Sequence, residues 1–168
     1  KDLFDVVGVS DPQISPDGRR VAFVRTEADY EKDEDVSDVW MAEGGALRQF
    51  TSGRGKDKLP RWSPDGRRLL FASTPQAKGD EKLKPQLYVM EADGGEARKL
   101  TDLKLGVEAP RWSPDGRRIL FISPTQPEEP KGDVKQITRL SYRYNGRGYF
   151  PGIWKHLFTI PARGGKPR

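Results

Sequence analysis

The chain has 168 residues, of which 34% are apolar and 33% charged, with 30 Lys and Arg against 25 Asp and Glu for a formal net charge of +5. So small an apolar share is thin for an isolated core and ordinary for sheets whose outer strands are solvated. No cysteine is present, which excludes disulfides and thiolate chemistry, and no run approaches the ~18 apolar residues of a membrane helix.

The first element in chain order is a hairpin written as Ile14-Ser15-Pro16-Asp17-Gly18-Arg19-Arg20-Val21-Ala22-Phe23. Proline presets the second position of a type I turn, aspartate bonds its own backbone, and glycine takes the left-handed conformation that follows. The same phrase returns as Trp62-Ser63-Pro64-Asp65-Gly66-Arg67-Arg68-Leu69-Leu70-Phe71 and as Trp112-Ser113-Pro114-Asp115-Gly116-Arg117-Arg118-Ile119-Leu120-Phe121. Ser15, Ser63 and Ser113 stand 48 and 50 residues apart, within the roughly 40–50 residues of a propeller blade. The strand after each turn is apolar, which suits burial on both faces between neighbouring blades. Trp62 and Trp112 stand where a large side chain enters the layer between blades, with Ile14 as the smaller equivalent. Each Arg-Arg pair is expected to mark a solvated strand end, and because the charges are interspersed no nucleic-acid surface is expected.

After the first hairpin comes the acidic stretch from Glu27 to Asp35, expected as a solvated loop. It offers Asp33 and Asp35 at calcium-loop spacing, but Asp38 stands where glycine is needed and Gly44 where glutamate is needed. A third strand then ends in a Gly-Gly turn in each repeat: Val39 to Gly45, Leu87 to Gly95 and Leu157 to Gly165. Arg48-Gln49-Phe50-Thr51 and Arg98-Lys99-Leu100-Thr101 supply a fourth, outermost strand. Four strands per repeat is a propeller blade.

The expected fold is therefore all-β: a β-propeller segment of about three four-stranded blades within a larger propeller. Blade 1 covers about 9–52, blade 2 about 58–102, and blade 3 about 108–168 with an insertion at 124–155. Aligning Gly164-Gly165 with Gly94-Gly95 sets Arg168 opposite Arg98, so the last blade is expected to stop just before its fourth strand. Propellers close with roughly 4–8 blades, and three alone would leave apolar faces and strand edges open.

Other motifs fail. Gly53-Arg54-Gly55-Lys56 lacks the spacing and following helix of a phosphate loop, and Gly146-Arg147-Gly148-Tyr149-Phe150 lacks the rest of an RNA-binding domain. His156 is the only histidine and is expected to be structural. The nearest approach to a nucleophile elbow, Gly8-Val9-Ser10-Asp11-Pro12, ends in proline. No acyl-transfer site can be assembled from these residues, and no metal or cofactor is expected.

The third repeat is the irregular one. Tyr88 to Phe158 spans 70 residues where Trp40 to Tyr88 spans 48. The insert is Pro-rich and charged from Pro124 to Lys135, and then Ile137 to Tyr144 can alternate as a strand with Arg139, Ser141 and Arg143 on one face. Two arginines on one face make a fork for a carboxylate, and they could equally pair with acidic residues of the insert or of another domain.

The Ser-Pro-Asp-Gly blades, the opening Leu3-Phe4-Asp5-Val6-Val7 running into Val9-Ser10-Asp11-Pro12, and Tyr142-Arg143-Tyr144-Asn145-Gly146-Arg147-Gly148-Tyr149 before His156-Leu157-Phe158 resemble the N-terminal propeller of prolyl oligopeptidase family serine peptidases, in their acylaminoacyl-peptidase-like branch. TolB-type propellers share the Ser-Pro-Asp-Gly repeat. The resemblance implies a propeller that screens short or N-acylated peptides for an α/β-hydrolase domain outside this chain, with the catalytic Ser, Asp and His beyond Arg168. It implies as partners the remaining blades and hydrolase domain, a peptide substrate, and room for a homo-oligomer, with no membrane. Arg139 and Arg143 are the substrate-binding candidates. No apolar leader precedes the first repeat, so a cytoplasmic location is expected unless a leader has been removed. The competing expectation is a non-enzymatic TolB-type scaffold for protein interactions.

Overall fold

In a computed structural model of the protein, the residues described are 7–29, 34–52, 55–75, 83–125, 143–144, 148–149 and 153–168, with backbone alone at 143–144 and 148–149. All their regular structure is β. The strands are β1 (Gly8–Ile14), β2 (Arg20–Asp29), β3 (Glu34–Glu43), β4 (Ala46–Gln49), β5 (Gly55–Trp62), β6 (Arg68–Pro75), β7 (Gln86–Glu91), β8 (Arg98–Lys99), β9 (Glu108–Trp112), β10 (Arg118–Thr125), β11 (Arg143–Tyr144), β12 (Gly148–Tyr149) and β13 (Trp154–Pro161).

They form successive antiparallel blades. β1 to β4 make the first and β5 to β8 the second, and a single parallel pair, Ser37 with Lys56, joins the two. The third is the sheet β13-β10-β9. Beyond Gly165 the amide and carbonyl of Arg168 both bond Thr159, in the register by which Arg98 pairs with Val89. No fourth strand of this blade is formed among the described residues.

All three turns are built alike. The amide of Gly18, Gly66 or Gly116 donates to the carbonyl of Ser15, Ser63 or Ser113 at 2.9 Å, and the glycines have φ of 74°, 69° and 66°. Each serine hydroxyl donates to the aspartate two residues on, at 2.5, 2.5 and 2.6 Å, and accepts the amide of Arg20, Arg68 or Arg118 at 2.9 Å. That serine bond, followed by the amide of Arg19, Arg67 or Arg117, holds Asp17, Asp65 and Asp115 below the usual carboxylate range. A depressed carboxylate stabilises the fold at neutral pH, and its contribution is lost as pH falls through the folded-state pKa.

Packing follows the strand period of two. On β6, Leu69 and Phe71 join Ala22, Val39, Met41, Phe50 and Met90 between the first two blades, while Leu70 and Ala72 join Leu87, Val107, Ile119, Phe121 and Ile160 between the second and third. β6 and β7 of the second blade are thus covered on both faces. The expectation of two-sided burial fails for β2 and β10, which alternate because a described blade covers one side alone. The uncovered sides carry exposed Val9 and Ile14 on the first blade and Leu120 and Leu157 on the third.

The acidic stretch is also corrected at its two ends, residues 30–33 lying outside those described. Glu27 pairs with Val36, Ala28 with Asp35 and Asp29 with Glu34, so β2 and β3 carry the hairpin outward through these residues. Backbone ladders do not require apolar side chains, and here the charges find partners: Glu27 with Arg25 and Glu34 with Lys56. In the third blade the β10–β13 ladder extends to Thr125 opposite Trp154.

Candidate functional site: inner strands and blade junctions

The innermost strands β1, β5 and β9 bear the features that a propeller presents to its central channel. Each is interrupted at the same point. Asp11, Leu59 and Ala109 have φ of 49°, 59° and 48°, each precedes a proline, and the ladder slips there. Proline cannot donate to the ladder, so a bulge is the natural accommodation. A left-handed non-glycine residue costs of the order of 1–3 kcal/mol, least for aspartate. The signal was available in Pro12, Pro60 and Pro110, which recur two residues before Ile14, Trp62 and Trp112.

The bulge brings charged groups together. Arg61 Nη1 donates to Asp11 Oδ2 at 2.7 Å and to the carbonyl of Pro60 at 2.6 Å, and Gln13 Nε2 donates to Asp11 Oδ1 at 2.9 Å. Arg111, the counterpart of Arg61, donates to the carbonyl of Pro110 at 3.0 Å. Both arginines, with Gln13, Trp62 and Trp112, line an open groove of about 360 Å³.

At the junctions the second arginine of the first two pairs proves not to be a solvated strand end, while Arg118 of the third pair is exposed as expected. Arg20 lies over the Trp62 ring, 5.1 Å from its centre, and reaches the carbonyl of Gly66 at 3.3 Å; Arg68 repeats this over Trp112 at 4.9 Å and toward Gly116 at 3.4 Å. The indole N–H groups answer by donating at 2.9 Å to the carbonyls of Gln13 and Arg61 in the preceding blade. Farther out, Arg48 donates to the carbonyl of Ala92 at 2.9 Å and Arg98 to that of Ala162 at 3.0 Å. The flat, weakly hydrated guanidinium is suited to stacking and donating at once, so the junctions use it repeatedly. The first arginines of the pairs, Arg19, Arg67 and Arg117, are exposed as expected.

One buried carboxylate lies between the first two blades. Asp57 is 6% exposed and its Oδ1 has no hydrogen-bond partner. Burial pushes its pKa up, offset in part by hydrogen bonds from the Ser73 and Thr51 hydroxyls. With the folded-state value raised, the penalty is absent below the usual carboxylate range and grows as pH rises through the folded value. Asp57→Asn, relative to the parent, should therefore gain stability as pH rises toward neutrality; melting midpoints at pH 4, 5.5 and 7 test this, and a gain in the opposite direction would refute it.

Of the residues singled out from sequence, Arg139 lies outside those described. Arg143 is described by its backbone, in β11 opposite Tyr149 of β12. His156 lies exposed in β13, opposite Ser123. Among the described residues no group of three or more His, Asp or Glu is placed to hold a metal ion, and no helix is long and apolar enough to cross a membrane.

A family model described as the TolB beta propeller domain matches residues 6–141. The uncharacterized peptidase YuxL of Bacillus subtilis strain 168 is 42% identical over 92 residues, which cover 53% of this chain and 13% of that protein. Among solved structures, an acylaminoacyl peptidase bound to Z-Gly-Gly-Phe-chloromethyl ketone superimposes over 98% of this chain and 25% of its own, with a TM-score of 0.74 at 22% identity. The Pyrococcus horikoshii acylaminoacyl peptidase gives 0.71 at 20% identity, covering 99% of this chain and 25% of its own. TolB from Acinetobacter baumannii gives 0.58 at 17% identity, covering 95% and 31%. At these identities the structural likeness establishes the propeller fold, and the chain spans about an eighth of the curated relative and a quarter of the acylaminoacyl peptidases.

Proposed function

Because the chain belongs to the TolB beta propeller domain family, we propose that it is the substrate-selecting part of a cytoplasmic serine exopeptidase, whose further blades and α/β-hydrolase domain lie outside these residues. The observation that carries this reading is the 42% identity to a peptidase, since a propeller fold alone hosts many functions. The groove between the inner strands is the route by which short or N-acylated peptides are screened, and Arg139 and Arg143 of the insert receive the charged end of the substrate near the catalytic cavity. The open apolar faces carrying Ile14 and Leu120 suit contact with neighbouring blades.

A second reading, a TolB-type scaffold without catalysis, draws support from the family model itself. The full-length protein separates the two. A peptidase is expected to be labelled by a serine-directed fluorophosphonate at a residue outside 1–168 and to hydrolyse N-acetylated peptide substrates. Absence of both labelling and hydrolysis would overturn the peptidase reading in favour of the scaffold.

A further inference from the structure

Arg61 and Arg111 occupy the same position in consecutive repeats, and the protein itself displays what a guanidinium there accepts. Each is tethered through Nη1 to the carbonyl of the proline before it. Arg61 additionally holds the carboxylate of Asp11 at 2.7 Å, which the left-handed bulge of the preceding blade delivers. The residue at the corresponding bulge opposite Arg111 is Leu59, with φ of 59°. Leucine supplies no acceptor.

The other carboxylates of that neighbourhood are engaged elsewhere. Glu108, on the same strand as Arg111, pairs with Lys155 at 2.5 Å. Asp65 and Asp115 are each held by their turn serine and by the amide of Arg67 or Arg117. Among the described residues Arg111 therefore has the tether of Arg61 without its carboxylate. It lies on the open groove that Trp62 and Trp112 also line, where its guanidinium can form a charge-assisted bond with a carboxylate.

We propose that Arg111 is a binding site for a carboxylate brought by the ligand, and that this ligand is a peptide whose free C-terminal carboxylate takes the place that Asp11 takes at Arg61. The proposal rests on the peptidase reading for the identity of the ligand and adds to it a site distinct from Arg139 and Arg143. The site selects peptides by their terminal charge as they enter the groove. The repeat also suggests a self-blocking variant: Leu59→Asp sets a carboxylate at the bulge that corresponds to Asp11, in a backbone conformation that aspartate tolerates better than leucine, at the cost of the contact Leu59 makes with the cluster of Leu70 and Ile119.

The test uses the full-length protein and a fluorescein-labelled Ala-Ala-Phe peptide, as free acid and as amide, with binding followed by fluorescence polarisation and hydrolysis measured separately. The parent is expected to bind the acid about tenfold tighter than the amide, the gain of a single charge-assisted pair. Arg111→Ala and Leu59→Asp should each abolish that difference while leaving amide binding unchanged, and Arg111→Lys should retain part of it. Equal binding of acid and amide by the parent would overturn the proposal. So would an equal loss for both peptides in Arg111→Ala, or a lowered melting temperature with the binding ratio intact. Hydrolysis of the amide bears on the peptidase reading alone: its absence would remove that reading and leave the binding ratio to decide the role of Arg111.

Discussion

Trp112→Ala is expected to lower the unfolding free energy by about 3 kcal/mol or more, the range for deleting a large packed aromatic. Three contributions meet in this side chain. Its ring packs against the cluster formed by Leu70, Ile119 and Phe121, its N–H bonds the carbonyl of Arg61 in the preceding blade, and the Arg68 guanidinium lies 4.9 Å above it. They can be separated. Trp112→Phe keeps most of the ring and should lose about 1 kcal/mol with the hydrogen bond. Arg68→Ala should lose about 0.5–2 kcal/mol with the cation–π contact and the packing of its stem, and because the pair is in contact the double variant should be non-additive. Ile14, which holds the same position in the first repeat, is 69% exposed, so Ile14→Ala should stay within about 0.5 kcal/mol. Denaturant titrations of the five variants decide the matter; comparable losses for Ile14→Ala and Trp112→Ala would show that the tryptophan does not join the blades.

The contrast between Ile14 and Trp112 also marks what could be read from the sequence. Turn chemistry is local, so Ser-Pro-Asp-Gly announces its own geometry, and three copies at a regular spacing announce the blades. The inter-blade position of the tryptophans was legible for the same reason, since a large apolar side chain just before a turn must be covered by something. The partners across the junction were not legible. Arg20 and Arg68 read as exposed strand ends because a charged pair beside a turn usually is one, and only the register of one blade against the next shows that alternate arginines lie over an indole. The bulges at Asp11, Leu59 and Ala109 left their mark in three prolines, but periodicity does not give φ. Glu27 to Asp35 read as a loop because composition reports polarity, whereas the β2–β3 ladder is held by backbone groups that composition does not see. The groove arginines Arg61 and Arg111 escaped notice because their significance depends on a difference between repeats, Asp11 against Leu59, that carries meaning only once the two positions are known to face the next inner strand.

Gly66→Val is expected to destabilise the protein by about 1–3 kcal/mol, more than Gly18→Val and far more than Arg67→Ala. Both glycines occupy left-handed backbone, at φ of 69° and 74°, where a β-branched residue is strained. The strain is therefore common to the two substitutions. Their surroundings differ: a Cβ on Gly18 meets nothing within 4 Å, whereas one on Gly66 comes to 3.5 Å from Cδ of Pro16 in the preceding blade, so the further methyl groups of valine would be forced against that ring. The carbonyl of Gly66 also receives Arg20, so a shifted turn weakens the junction that Trp62 and Arg20 form. Arg67, by comparison, is exposed, and its carbonyl, which accepts the amide of Ala92, survives truncation of the side chain; its loss should stay within about 0.5 kcal/mol. Denaturant midpoints that rank Gly66→Val below Gly18→Val, with Arg67→Ala near the parent, would establish that these turns serve two purposes, closing their own hairpin and seating the blade before it. Equal midpoints for the two valine variants would confine the role of the glycine to the hairpin, and equal midpoints for Gly66→Val and Arg67→Ala would refute the turn assignment.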